Sequence, residues 1–322
     1  MIEWLEDASR LSPWPDLNAV VTGLGPRGYS AADLLIHMGA HVIVIDDTDS
    51  HADQVKLLEF LGADVRRGTD GLPGYDLVVA PDEGPESPVL GEAERRGVPV
   101  WSDVELAWRL KESDVPWLGV TGVRSVDDTI RLVEAIVATA GLTISGAGAG
   151  LRPIPETILD EVSYDVLVVG MSHTDLARST SLRFHSAAVL TLDPDDGHED
   201  EYARIYYQVT NSCVYNAEEP RTEKMVEDAD VVEGARAIGF TTRIPAISMV
   251  GVVDELIVDR AFIPQRRDSA LELARVADIP DGLNPQDVLA AAALARSFGV
   301  PATAVRDGLK AYRSNPHSEG EI

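Results

Sequence analysis

Ala19-Val20-Val21-Thr22-Gly23-Leu24-Gly25-Pro26-Arg27-Gly28-Tyr29-Ser30-Ala31-Ala32 decides the fold. Ala19 to Thr22 reads as a buried strand, Gly23 to Gly28 as a turn, and Tyr29 to Met38 as a helix closed by Gly39. His41 to Ile45 is the next strand and ends at Asp46. Glycines spaced Gly23-x-Gly25-x-x-Gly28 allow a tight turn and close approach of a phosphate, while the helix start offers free N–H groups. A carboxylate about 20 residues further on accepts from a sugar hydroxyl in dinucleotide-binding folds, and Asp46 stands there. The same pattern also serves as a plain strand-to-helix turn with no ligand.

Outward from this unit the rhythm repeats: apolar strand, Gly/Pro/Asp turn, amphipathic helix. That predicts a parallel α/β architecture. Strands are expected at Tyr75 to Ala80 and Val98 to Trp101, and helices at Pro88 to Arg96 and Asp103 to Lys111. The polar, Pro-terminated stretch Lys111 to Pro116 marks a domain boundary, giving domains 1–112 and 113–322. The second domain opens with the strand Trp117 to Thr121, a loop Gly122 to Asp127 and a helix Thr129 to Ala140. Strands follow at Asp165 to Val169, Ala187 to Leu192, Ser212 to Tyr215 and Arg236 to Phe240, with a hairpin over Ala246 to Asp259. Two helices, Pro285 to Phe298 and Ala302 to Tyr312, complete the pattern.

The second loop stands where a P-loop belongs. A P-loop presents successive N–H groups, a Lys to the β/γ-phosphates and a Ser/Thr hydroxyl to Mg²⁺. This one reads Thr121-Gly122-Val123-Arg124-Ser125-Val126-Asp127-Asp128-Thr129, with Val126 in place of the Lys and Asp127 in place of the hydroxyl. An apolar side chain for a cation, and a carboxylate beside a triphosphate, each weaken phosphate binding by on the order of several kcal/mol in a dry site. Arg124 is the one nearby cation, at a different position in the loop.

Composition narrows the function. With 27 Lys+Arg against 54 Asp+Glu, the net charge of −27 argues against nucleic acid or an anionic membrane as partner. Local N–H groups still allow a small anion. The single Cys213 permits no internal disulfide and sits in a predicted strand as a buried thiol. The acidic start Met1 to Asp7 lacks the features of a signal peptide, and no run of apolar residues is long enough to span a bilayer, so a cytoplasmic protein is expected.

The chain resembles the Mur ligase family, most closely its D-glutamate-adding type. The resemblance runs over nearly all 322 residues. It is carried by Val21 to Ala32, Val98 to Trp108, Pro116 to Gly122, Ala188 to Leu192, Val214-Tyr215-Asn216-Ala217-Glu218-Glu219-Pro220 and Gly308 to Tyr312. It implies a Rossmann-like UDP-binding domain, then a central P-loop-type ATPase domain. A third domain takes the incoming amino acid; the chain stops just past Pro316-His317, so that domain is expected to be absent. The implied reaction is ATP phosphorylation of a substrate carboxylate, followed by attack of an amine on the acyl phosphate. Such phosphoryl transfer depends on positioned cations.

The departures fall on the family's catalytic positions. Its P-loop Lys and hydroxyl correspond to Val126 and Asp127, its Mg²⁺-binding Glu to Gly170, and its carbamoylated Lys to Tyr202. Its His-Asn pair becomes Leu283-Asn284, the Arg after Pro-His becomes Ser318, and the Asp-His segment shortens to Asp193 to His198. No catalytic or metal-binding residue is assigned. The degenerate nucleotide site comprises Gly122, Arg124, Ser125, Asp128, Thr129, Asn216 and Asn284. The UDP-sugar site implied by the resemblance comprises Gly23, Leu24, Gly25, Pro26, Arg27, Gly28, Asp46 and Pro81, although Ala80-Pro81-Asp82 replaces the family's Ser-Pro-Gly and adds a carboxylate.

Three further groups carry no chemistry on this reading. His173, His185 and His198 lack a metal-binding spacing. The acidic run from Asp193 through Asp195, Asp196, Glu199 and Asp200 to Glu201 reads as a solvated loop, and Asp175 and Arg178 as a surface pair. The expected protein is a Mur-ligase homologue that has lost ligase activity, needs no cofactor, and binds UDP-N-acetylmuramoyl-L-alanine, a related UDP-sugar, or a protein of wall synthesis. The alternatives are an active ligase that uses ATP and Mg²⁺ in an altered site, completed by another chain, and an NAD-type dinucleotide binder.

Overall fold

Residues 2–48, 50–81, 87–112, 114–195, 197–279 and 281–313 are described by a computed structural model. Their contacts divide the chain into two units, with the main break between Asp114 and Val115.

In unit 1 the chain runs β1 (Asn18–Thr22), α1 (Pro26–His37), β2 (His41–Ile45), α2 (Ala52–Phe60), β3 (Asp64–Arg66), β4 (Leu77–Val79), α3 (Pro88–Arg96), β5 (Val100–Trp101) and α4 (Asp103–Leu110). The five strands form a parallel sheet in the order β3-β2-β1-β4-β5. Ala19, Val20 and Val21 are fully buried, as a central parallel strand covered on both faces requires. The chain moves to opposite sides of β1 on leaving β1 and on leaving β3, so the carboxyl end of β1 is a topological switch point, where open α/β sheets bind ligands. The glycine loop occupies that point.

Unit 2 continues with β6 (Trp117–Thr121), α5 (Val126–Thr139) and β7 (Ile144–Gly148). The chain then forms α6 (Ile154–Leu159), β8 (Val166–Met171), α7 (His173–Ala177), β9 (Ser186–Val189), α8 (Glu199–Ala203) and β10 (Ser212–Asn216). It ends with α9 (Pro220–Glu227), β11 (Arg236–Phe240), β12 (Met249–Val253), β13 (Leu256–Asp259), β14 (Leu271–Arg275), α10 (Pro285–Ser297) and α11 (Ala302–Arg313). The nine-stranded sheet has the order β14-β13-β12-β11-β10-β9-β6-β8-β7. It is parallel from β7 to β12, and the β12-β13-β14 meander is antiparallel. Its core joins Leu118, Val120, Ile130, Val133 and Ile136 to the buried alanine-rich face of α10.

The expected contiguous 113–322 domain is interrupted. Residues 152–161 and 174–182 pack in unit 1. The buried N-terminal turn of α4 holds the second segment. Glu105 accepts from Thr180 N (3.1 Å), Thr180 Oγ1 (3.2 Å) and Ser181 N (3.2 Å), while Ser102 Oγ meets Ser179 Oγ at 2.9 Å. Asp175 is therefore no surface charge: it is 2% exposed and receives Arg27 Nη2 at 2.5 Å. Arg178 gives Nη1 to the Ala80 carbonyl at 2.6 Å. Buried polar groups need partners wherever the chain leaves them, and these are supplied by residues 75 to 148 positions apart in sequence.

Several short elements lay outside the sequence expectation. Helix α2 buries only Leu58 and leaves Leu57 and Phe60 exposed, and β7 (Ile-Ser-Gly-Ala-Gly) lacks a β-branched run, so neither carries a strong local signal. Helix α1 begins at Pro26 and α5 at Val126, one turn earlier than expected, because Pro at the first helical position and the loop's own carbonyls extend each helix into its loop.

Candidate functional site

Each unit places a strand–loop–helix junction at the centre of its sheet. In unit 1, Gly23 has φ +75° and its N–H donates to the Ile45 carbonyl at 2.8 Å. Gly28 is required by contact: a Cβ there would lie 2.0 Å from the Gly23 carbonyl oxygen. Gly25 is the N-cap of α1 and Pro26 its first residue, with no side chain capping the helix. The orphan N–H groups of the first turn thus have no side-chain acceptor from the N-cap. Thr22 Oγ1 and Ser30 Oγ, on either side of the loop, are buried without hydrogen-bond partners. Leu24 and Pro81 are buried.

Two polar members of the expected UDP-sugar set have other partners. Arg27 gives its guanidinium to Asp103 and Asp175, both almost fully buried, and these carboxylates hold it protonated far above its ordinary range against the opposing effect of burial. Asp46 accepts from Thr48 Oγ1 at 2.8 Å and contacts His51 Nδ1 at 3.2 Å. Asp82 lies outside the described residues.

In unit 2, Ser125 caps α5 in the left-handed region (φ 60°), and Asp127 and Asp128 occupy the first helical turn. Carboxylates at a helix start satisfy its partial positive charge internally. Asp287, near the start of α10, is buried and hydrogen-bonded to Ser125; burial first, then Asp128, push its pKa up to about 6. Asp128 is also raised, by burial and by Asp127. Arg124 is exposed. Asn284 Oδ1 accepts Gln286 N (3.0 Å) as the N-cap of α10, and Asn216 Oδ1 accepts Glu218 N (3.0 Å). Thr129 is buried, and Leu283 packs on the core.

The positions where the resemblance implies a cation and a metal ligand meet as packing. Val126 belongs to the hydrophobic core at 7% exposure. A Cβ on Gly170 would lie 2.9 Å from Val126 Cγ1, 2.9 Å from Ala149 Cβ and 2.7 Å from Ile130 Cδ1. A glutamate side chain does not fit there, and Val126 brings no charge. Tyr202 is likewise buried, with its ring edge-on to His173 (5.8 Å between centroids). His173 in turn stacks on His198 at 4.0 Å. These histidines form a ring stack that their sequence spacing did not announce; His185 stands apart against Phe298. Among the described residues no group of three His, Cys, Asp or Glu side chains is arranged to hold a metal ion. At the two positions where the resemblance implies the cation and the metal-binding glutamate, Val126 and Gly170 offer no ligand to Mg²⁺.

In the acidic run, Arg221 donates to the Asp193 carbonyl (3.0 Å) and to Glu199 (3.0 Å), and Asp193 Oδ1 caps the Asp195 N–H. Asp196 lies outside the described residues. Cys213 is buried in β10, which pushes its thiol up to about 12. No helix is long and apolar enough to cross a membrane among the described residues.

No protein-family profile matches the chain. A UDP-N-acetylmuramoylalanine–D-glutamate ligase from Streptomyces avermitilis is 43% identical over 324 residues, spanning 95% of this chain and 69% of that protein. The protein of the same name from Streptomyces coelicolor is 44% identical over 319 residues, spanning 93% and 68%. Among solved structures, the UDP-N-acetylmuramate:L-alanyl-γ-D-glutamyl-meso-diaminopimelate ligase of Neisseria meningitidis superposes with a TM-score of 0.59 at 15% identity, covering 92% of this chain and 98% of that one. The UDP-N-acetylmuramate–alanine ligase of Thermotoga maritima gives 0.52 at 16% identity, covering 92% and 69%. These two share the fold. The sequence relatives place the chain in the Mur ligase family, among its UDP-N-acetylmuramoylalanine–D-glutamate ligases.

Proposed function

We propose that this chain is a non-catalytic member of its family, which binds a UDP-N-acetylmuramoyl precursor through the glycine loop of unit 1 and performs no ATP-driven ligation. The reading rests on one observation: where the family has a lysine and a metal-binding glutamate, Val126 is core and a Cβ on Gly170 would lie only 2.9 Å from Val126 Cγ1. Phosphoryl transfer is driven by cations around the transferred group. Here that place offers apolar side chains, with Asp127, Asp128 and Asp287 near the loop. A triphosphate brought there meets repulsion from these carboxylates, with the exposed Arg124 as the cation of the loop itself.

The first loop keeps what an anion needs: an uncapped helix start, a glycine that no other residue can replace, and a position at the switch point of its sheet. Arg27 is committed to Asp103 and Asp175, so backbone N–H groups supply the anion contacts.

Calorimetric titration with UDP-N-acetylmuramoyl-L-alanine, without nucleotide, tests the reading. Saturable binding that UDP alone competes for is the expected result. Absence of binding overturns the precursor role, and release of inorganic phosphate on adding Mg·ATP and D-glutamate overturns the loss of catalysis. Binding of NAD in place of the UDP compound assigns the loop to a dinucleotide instead.

A further inference from the structure

Asp46 ends β2 beside the glycine loop, and the sheet fixes its backbone. Its N–H donates to the Arg66 carbonyl at 3.0 Å, and the Ile45 carbonyl just before it accepts the Gly23 N–H at 2.8 Å. The side chain is only 6% exposed. One carboxylate oxygen, Oδ2, takes all of its partners: Thr48 Oγ1 donates to it at 2.8 Å, and His51 Nδ1 lies 3.2 Å away. Ser50 Oγ donates to Thr48 Oγ1 at 3.1 Å, and His51 Nδ1 is also 3.2 Å from that hydroxyl. Thr48 gives its hydrogen to Asp46, and a carboxylate has none to give. The hydrogen between His51 and Asp46 therefore sits on Nδ1, an assignment made by the network.

His51 occupies the N-cap of α2, yet its side chain caps no backbone N–H of that helix; it turns to Asp46 instead. Asp46 Oδ1, by contrast, has no partner among the described residues. A nearly buried carboxylate oxygen without a donor is unfavourable, and it favours a ligand that brings one. The place is right for a ligand, because the carboxyl ends of β1 and β2 flank the switch point of the sheet.

We propose that His51 and Thr48 are positioning residues: by holding Asp46 Oδ2 they present Oδ1 to a hydrogen-bond donor on the nucleoside end of the bound ligand, and so set its nucleoside selectivity. This rests on the precursor-binding reading above and adds selectivity to it, since the backbone N–H groups of the loop serve the anionic end. Uridine offers two kinds of donor, the ribose hydroxyls and the base N3–H. A site built around such a donor rejects the analogue that lacks it, because the acceptor is then left unpaired.

Calorimetric titration of the full chain with UDP, 2′-deoxyuridine diphosphate and cytidine diphosphate tests this, in the unmodified protein and in His51→Leu, His51→Asn and Thr48→Val. The first analogue lacks the 2′-hydroxyl and the second the N3–H. The unmodified chain should prefer UDP by about tenfold or more over one or both analogues, and the analogue rejected identifies the donor. His51→Leu should shrink that preference to within about twofold, and Thr48→Val should shrink it in part. His51→Asn, whose amide N–H stands near where Nδ1 stood, should keep most of it. Preference is a ratio within one variant, so partial unfolding does not imitate this pattern, and thermal melting checks that each variant is folded at the titration temperature. UDP binding without preference, or a preference unchanged in His51→Leu, overturns the positioning role and leaves the precursor reading standing. No UDP binding by the unmodified chain overturns both.

Discussion

Unit 1 and unit 2 build the same junction, a buried strand running through a glycine loop into a helix, and use it in opposite ways. At the first, α1 begins on Gly25 and Pro26 with no acidic side chain in its opening turn. At the second, α5 begins with Asp127 and Asp128 and Ser125 is tied to Asp287. A helix start attracts anions by its exposed N–H groups and its dipole. Left bare, it is open to an anion; filled by its own carboxylates, it is occupied by the fold. Val126 completes the change in unit 2: it belongs to the apolar core, and the space beside Gly170 has no room for a Cβ.

The contrast can be broken most severely at Arg27. Arg27→Ala leaves Asp103 and Asp175 buried with their shared cation gone, and it should cost about 3–5 kcal/mol in urea unfolding. A loss within experimental error would show that the 174–182 segment does not depend on this contact.

The second junction carries a pH signature. The Asp287 carboxyl titrates at about 6 in the folded protein against 3.8 as its ordinary value. Between those limits the native state holds a proton that the unfolded chain has released, so this group's contribution to stability falls as pH rises from about 4 to 6. The full change is at most about 3 kcal/mol. Asp287→Asn should remove that decline, seen as the difference between the two proteins' unfolding free energies across the window. Parallel pH profiles would contradict the placement of Asp287.

Gly170→Ala tests the packing at smaller scale. The added methyl must displace Ile130, Ala149 and Val126, costing about 1–3 kcal/mol, and a cavity large enough for a metal site would instead accept it freely. Smallest of all, Arg124→Ala in the second loop should change stability by less than about 0.5 kcal/mol, because that side chain is exposed. The two loop arginines thus differ as sharply as the loops themselves.

Much of this contrast was legible in the sequence. β6, β11 and α3 fall on the stretches expected for them, because apolar runs bounded by Gly, Pro and Asp are local signals. The glycine spacing located the first loop, and Val126 and Asp127 already marked the second as altered. What the sequence hid was long-range. That Arg27 turns to Asp103 and Asp175 depends on a segment returning from beyond residue 170, and no periodicity encodes that return. Ser102, Asp103 and Glu105 offered a hint, since three polar residues opening an amphipathic helix invite partners, yet a helix cap explained them equally well. The Asp287–Ser125 bond and the His173–His198 stack likewise join residues that only the folded sheet brings together.

Mg·ATP binding, measured by calorimetry alongside phosphate release in the presence of UDP-N-acetylmuramoyl-L-alanine and D-glutamate, addresses the closed second junction most directly. The account predicts no saturable heat from Mg·ATP and no phosphate above background. Micromolar binding with phosphate release that disappears in Arg124→Ala would contradict it.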